Sequence, residues 1–170
     1  YFSLSENVST DENCYLLIQD SNNITIDLNG HRLSVDTNYG ICIFDSNYIV
    51  IKNGFLDSNE STLILGRNVL DLNLEDLDMN GKISGSNYMC DITGKANFLS
   101  VNLELDGSYG AKIDGSVLMT GSNFELPGES SDISLFLSGS GGTVQNSSFQ
   151  GAIKIEDGNN FIIKNSSISG

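Results

Sequence analysis

The sequence predicts an all-β fold: a single-stranded parallel β-helix of about seven three-strand rungs, each of ~23 residues. Three observations carry that expectation. Short apolar alternations recur along the chain: ITIDL at 24–28, IVIKN at 49–53, VLDLN at 69–73, FLSVN at 98–102, VLMTG at 117–121, TVQNS at 143–147 and FIIKN at 161–165. Gly (18), Asn (20) and Ser (24) fill more than a third of the 170 positions, so turns are frequent. No stretch carries ten residues of helical periodicity, which disfavours βα units and leucine-rich horseshoes.

The register follows from one inward residue per alternation. Ile26, Ile51, Leu72, Val101, Met119, Val144 and Ile163 serve as anchors, with a mean spacing of about 23 residues. Two positions earlier, six of the seven residues are apolar. Four positions earlier stand Asn22, Asn47, Asn68, Asn97 and Asn159, together with Gly115 and Ser140. Stacked at rung spacing, those asparagines predict a side-chain amide ladder at a turn. A second strand follows each anchor, with Leu33, Leu56, Leu77, Leu105, Phe124, Phe149 and Ile168 inward. A third precedes it, with pairs such as Leu16/Ile18, Ile41/Ile43, Leu63/Leu65 and Cys90/Ile92 inward. A lone three-stranded turn cannot bury its apolar side, whereas turns stacked at about 4.8 Å can.

Charge and length narrow the function. The chain fits one domain, with 1–13 as an N-terminal cover or partial rung and 14–170 as the β-helix. Eight basic against 22 acidic residues give a net charge of −14, so neither nucleic acid nor an anionic lipid surface is an expected partner. No apolar run approaches the ~18 residues of a spanning helix, so membrane insertion is not expected. The chain opens at Tyr1 rather than Met, which points to a processed protein or an excised segment.

The segment Asn23-Ile24-Thr25-Ile26-Asp27-Leu28-Asn29-Gly30-His31 resembles the opening rung of right-handed parallel β-helix proteins of the pectin-lyase-like superfamily. Ile49-Val50-Ile51-Lys52-Asn53-Gly54 and Ile162-Ile163-Lys164-Asn165 resemble later rungs. The resemblance runs from about Leu16 to Gly170 and implies a right-handed coil. It also implies an exported setting and raises two activities. Lyases of the superfamily use a basic residue beside a Ca²⁺-bound uronate. Here Arg67 with Asp71, Asp76 and Asp78 is the best such grouping, and a solvated turn with surface ion pairs explains it equally well. Hydrolases of the superfamily carry Gly-His-Gly and Arg-Ile-Lys elements, which are missing here. His31, the one histidine, follows Asn-Gly and reads as a turn residue. In related surface proteins an upstream cysteine pairs with a position like Cys14, and none precedes it here.

Other candidates come from the residues themselves. Asp20, Asp45 and Asp157 recur in turns, and Asp20 and Asp45 on adjacent rungs are the candidates for a Ca²⁺ site, the one cofactor raised. Asx-turn capping explains them as well. The row Thr25, Val50, Asp71, Ser100, Leu118, Thr143, Ile162 is too irregular for ice binding. Outward on the strand before the anchor stand Leu17, Cys42, Ile64, Asp91, Lys112, Phe136 and Lys154, whose apolar start suggests a cover by 1–13 or by a partner subunit. Cys42 is expected outward and Cys90 inward, neither pairing with Cys14. Five N-x-Ser/Thr sequons occur, of which Asn7 and Asn59 are the more accessible glycosylation candidates.

The expected function is a non-enzymatic, extracellular structural or adhesive module whose open ends meet neighbouring subunits or flanking rungs. The alternative is a polysaccharide-binding or polysaccharide-cleaving β-helix with a glycan partner.

Overall fold

Alternating apolar residues set the strands, and residues able to adopt a left-handed backbone set the corners between them. The computed structural model describes residues 1–3, 8–10, 16–36, 38–83, 85–126, 132–158 and 160–169. Among these there is no helix. The strands are β1 (Phe2–Ser3), β2 (Val8–Thr10), β3 (Leu16–Gln19), β4 (Asn22–Asp27), β5 (Arg32–Val35), β6 (Tyr39–Phe44), β7 (Asn47–Asn59) and β8 (Thr62–Lys82). They continue with β9 (Cys90–Asp106), β10 (Tyr109–Thr120), β11 (Asn123–Glu125), β12 (Ile133–Gln145), β13 (Ser148–Gln150), β14 (Ala152–Ile155), β15 (Phe161–Lys164) and β16 (Ser167–Ser169). Every described pairing is parallel.

The result is a parallel β-solenoid of about six turns at ~23-residue spacing. Three faces run along it. The first is built from β3, β6, β14 and the opening parts of β8, β9, β10 and β12. The second holds β1, β4 and β15 with the next stretch of the long strands, and the third holds β2, β5, β11, β13 and β16 with their ends. Strands β1 and β2 pair with the rung that follows: Phe2 with Ile26 and Val8 with Leu33. On the first face Leu17 stays half-exposed.

The inward columns differ from expectation in the third and fourth rungs. On the second face the column is Ile26, Ile51, Leu74, Phe98, Met119, Val144 and Ile163. Leu72 instead pairs with Ile49, and Val101 with Leu77. On the third face Met79 and Leu103 stand where Leu77 and Leu105 were expected. In the third rung the cause is the period of a strand: a slip of two residues leaves every side chain on its expected side, so Leu70-Asp71-Leu72-Asn73-Leu74 reads equally well in several registers. In the fourth, Phe98 precedes Val101 by three residues, with the left-handed corner at Ser100 between them. The structure leaves Leu70 64% exposed and buries Leu72 and Leu74 completely. On the first face Ile64 is inward, opposite Ile41 and Cys90, and Leu65 takes the outward place between Cys42 and Asp91. An unbroken Leu63-Ile64-Leu65 run gives no alternation from which to choose. The outward row on the second face accordingly reads Thr25, Val50, Asn73, Asn97, Leu118, Thr143, Ile162, with Asn73 and Asn97 in place of Asp71 and Ser100.

The corners use two chemistries. Between the first and second faces, Asp20, Asp45 and Asn68 adopt φ of 48°, 47° and 54° and stack rung on rung. Farther along, the same corner passes to Gly94 and Gly115, paired with each other at φ of 131° and 151°. A Cβ on Gly115 would overlap the Gly94 carbonyl, and one on Gly94 would overlap the Val69 carbonyl. Between the second and third faces, Asn53, Asp76, Ser100, Gly121, Asn146 and Asn165 are all left-handed. The residues that follow form a serine ladder: the amides of Val101, Ser122 and Ser147 donate to the hydroxyls of Ser122, Ser147 and Ser166 at 3.2–3.3 Å. At these three positions the bend takes a backbone N–H out of the strand ladder, and the hydroxyl of the next rung accepts it.

The expected single asparagine ladder is replaced by this arrangement. Asn22 does oppose Asn47. Asn68, however, sits in the corner and donates to Asp45 Oδ1 at 2.8 Å. Asn97 faces Asn73 and donates at 2.8 Å to both Asn73 Oδ1 and Asp71 Oδ1. Asn159 lies outside the described residues.

The register makes a direct prediction. Leu74→Ala is expected to destabilise the fold by about 2–5 kcal/mol in urea unfolding, whereas Leu70→Ala stays within about 0.5 kcal/mol. The reverse ranking would mean the third rung is threaded differently.

Candidate functional site

The grouping expected around Arg67 does not assemble. Arg67 lies on the first face, where its guanidinium donates to the Asp91 carboxylate and, at 2.9 Å, to the Asp91 carbonyl. Asp71 lies on the second face, paired with Lys95 at 3.2 Å and accepting from Asn97. Asp76 occupies the next corner with φ of 50°. Asp78 is on the third face, accepting from Asn102 at 2.7 Å. One strand, β8, wraps around all three faces, so neighbours in sequence point in different directions. Their spread leaves no shared position for a reacting atom.

Asp20 and Asp45 do stack on adjacent rungs, since the Asp20 amide donates to Phe44 O beside Asp45. Among the described residues, no group of three or more potential metal ligands is found. Asp157 repeats the left-handed corner conformation at φ of 50°. His31 is a turn residue whose amide donates to Leu28 O at 2.8 Å and whose carbonyl accepts from Phe55 at 3.1 Å. Asn59 is exposed at the end of β7, and Asn7 lies outside the described residues, as does Cys14. Cys42 and Cys90 are free and buried, and burial pushes both thiols up.

A polar groove of about 330 Å³ lies on the outside of the third face. Two outward rows line it. One runs Arg32, Phe55, Asp78, Asn102, Asn123, and the other Asn80, Glu104, Glu125, a row that Asp57 continues beyond the groove. At one end the Arg32 guanidinium lies 5.2 Å over the Phe55 ring and is tied to the Asp57 carboxylate. Beyond it the amides and carboxylates are braced in pairs: Asn102 donates to Asp78, Asn123 donates to Glu125 at 2.7 Å, and Ser148 donates to Asn123. Such a strip offers oriented donors and acceptors beside one apolar ring. Of these residues only Asp78 was a sequence-derived candidate. The others alternate with the inward residues of their strands, a signal that depends on the register of the third and fourth rungs.

The most tied carboxylate lies elsewhere. Asp27, at the edge of the second face, accepts from the Tyr1 hydroxyl at 2.8 Å, the Asn29 amide at 3.0 Å and the Asn53 side chain at 3.1 Å, with Lys52 at 3.8 Å. The Tyr1 hydrogen bond first, then the Asn29 and Asn53 bonds and the Lys52 charge, hold its pKa below the usual carboxylate value, against a partial desolvation cost. The same contact raises the Tyr1 phenol. This cluster ties Tyr1 to the rungs that carry Asp27 and Asn53.

No protein-family model, curated protein or solved structure matches the chain. Fold and site therefore rest on the geometry alone.

The lowered Asp27 pKa sets a sign. Its contribution to stability is present above the ordinary carboxylate pKa and is lost as pH falls through the lower folded value. Acid titration monitored by circular dichroism should show Asp27→Asn already weakened at pH 7 and flatter than wild type below about pH 4. Identical acid profiles would show that Asp27 contributes nothing.

Proposed function

We propose that the chain is a non-enzymatic structural or adhesive module: a rigid acidic β-solenoid displayed at the cell surface or outside the cell. In this reading the coil is right-handed, with about seven rungs in the manner of pectin-lyase-like proteins, and Asn7 and Asn59 are its glycan attachment points. The observation that carries it is a stack of parallel strands whose inward columns, among the described residues, are exposed at the first and last rungs. At one end Phe2 and Leu16 are exposed, and an apolar pocket of about 360 Å³ opens between them and Ile18, Ile24 and Ile26. At the other end Ile155, Ile163 and Ile168 face inward yet remain 45%, 37% and 54% exposed. Neighbouring subunits or flanking rungs would extend the same three sheets there. The dispersal of Arg67, Asp71 and Asp78 onto separate faces, each with its own partner, supports a scaffold over a catalyst.

A second reading, a polysaccharide-binding surface, is favoured by the third-face groove. Its braced amides and carboxylates suit a hydroxyl-rich ligand, and Phe55 offers a ring for a sugar face. Calcium would enter this reading as a bridge to acidic glycans, since the groove alone repels them.

Two experiments separate the readings. Small-angle scattering with Ile163→Lys and Ile168→Lys variants is expected to show a rod that associates end-on in wild type and stays single in the variants. Turnover of any polysaccharide by the purified chain would overturn the structural reading. A glycan panel with and without Ca²⁺ tests the second: binding that falls at least about tenfold in Phe55→Ala supports it, and no binding to any polymer removes it.

A further inference from the structure

On the outside of the first face, two rows run side by side along the solenoid. Asp91, Lys112, Phe136 and Lys154 form one row. Two residues farther along each strand, Thr93, Asp114, Ser138 and Glu156 form the other. Lys112 and Asp114 therefore share one strand at the same height, and Lys154 and Glu156 share another two rungs on. Between them lie Phe136 and Ser138. The row has an aromatic centre: Phe136 is contacted edge-on by Tyr88 at 6.2 Å, and Tyr88 meets Tyr109 at 5.1 Å. The Lys112 and Lys154 ammonium groups sit 5.9 and 5.4 Å from the Phe136 ring centroid. Three of the eight basic residues of this acidic chain, Arg67, Lys112 and Lys154, gather on this face.

This pattern is complementary to itself. Rotating a second copy by half a turn about an axis parallel to the rod, lying between the two faces, exchanges the rows at each height. Lys112 then faces Asp114 of the other copy, Phe136 faces its Ser138, and Asp91, held by Arg67 of its own chain, faces Thr93; Lys154, already paired with Glu156 of its own strand at 2.5 Å, gains the other copy's Glu156 as a second partner. Symmetry makes each contact twice, and no like charges meet on these four rungs. A different partner would have to reproduce this alternation at 4.8 Å intervals, whereas a second copy carries it by construction. We infer that the first face is a side-by-side docking surface for a second copy of this chain, in a parallel two-fold pair centred on Phe136.

The magnitudes decide the regime. Seven strands of four residues span roughly 30 by 13 Å, about 400 Å² on each copy, which is below the standard specific interface and in the range of weak, transient contacts. Each copy carries −14, a long-range repulsion screened beyond about 8 Å at physiological salt, while the contact pairs lie inside that distance. Association is therefore weak, best read at roughly 0.1–1 mM protein, and reduced at both extremes of salt. It uses neither the open ends nor the third-face groove, so it stands or fails separately from the proposals above.

The test is sedimentation equilibrium of the whole chain across that concentration range. Wild type is expected to self-associate, and the end variants Ile163→Lys and Ile168→Lys, in which end-on contact is blocked, to stop at a discrete dimer. Lys112→Glu places two like-charge pairs in the interface and should weaken the dimer at least about tenfold. The exchange Lys112→Asp with Asp114→Lys restores opposite charges across the axis and should return affinity to within about threefold of wild type. If Lys112→Glu does not fold by circular dichroism, Asp114→Lys reads the same pairing from the other row. A wild-type monomer throughout, an unaffected reversal, or an exchange no better than the reversal overturns the proposal. The end variants Ile163→Lys and Ile168→Lys should leave the dimer unchanged. Loss of it in them would place the contact at the rod ends instead.

Discussion

An inward side chain in this fold is shielded by the rungs above and below it, and sequence-adjacent residues contribute little. Ile51 is fully buried because Ile26 and Leu74 flank it at rung spacing, while Ile163, with a neighbour on one side only, is more than a third exposed. The same holds for aromatic residues: Phe124 packs edge-on against Phe98 at 5.9 Å and Phe149 at 5.6 Å, each from an adjoining rung. Stability therefore accumulates by adjacency along one axis, and each lap depends on its two neighbours more than on its own sequence.

That dependence moves the structural burden to the corners. Three faces require sharp bends at the same height in every rung, and the chain meets this with Asp, Asn, Ser or Gly in left-handed geometry. A bend also leaves an amide that no neighbouring carbonyl can reach. Where Val101 and Leu77 occupy the position after the bend it is apolar, and from Ser122 to Ser166 it becomes a chain of hydroxyls, each accepting one amide and donating to a carbonyl two residues back. The corner through Gly94 and Gly115 solves the same problem by letting two backbones approach more closely than any Cβ permits.

The architecture was legible in the sequence because period-2 alternation and turn residues recur together, and neither needs the partner strand to be known. Which residue stacks on which was less legible. Leu72 and Leu74 are interchangeable to any argument from alternation, and the choice between them depends on how many residues the preceding corner consumes, through Asn68 and Val69. The error passed directly into the site. With Leu72 as the anchor, Asn68 fell into the turn column of Asn22 and Asn47 although it stacks on Asp45, and with Val101 as an anchor the outward row of Asn102 and Glu104 was hidden. Chemistry read from sequence neighbours failed for a related reason: Arg67, Asp71 and Asp78 are close along β8 but that strand turns two corners between them.

The direction of the backbone hydrogen bonds has a mechanical consequence. They run along the long axis, linking each lap only to its neighbours, so a pull applied through the two termini loads them a few at a time at the outermost lap. Such a molecule would lengthen by shedding coils singly from its ends, in a sawtooth of modest forces, and rewind when the load is released.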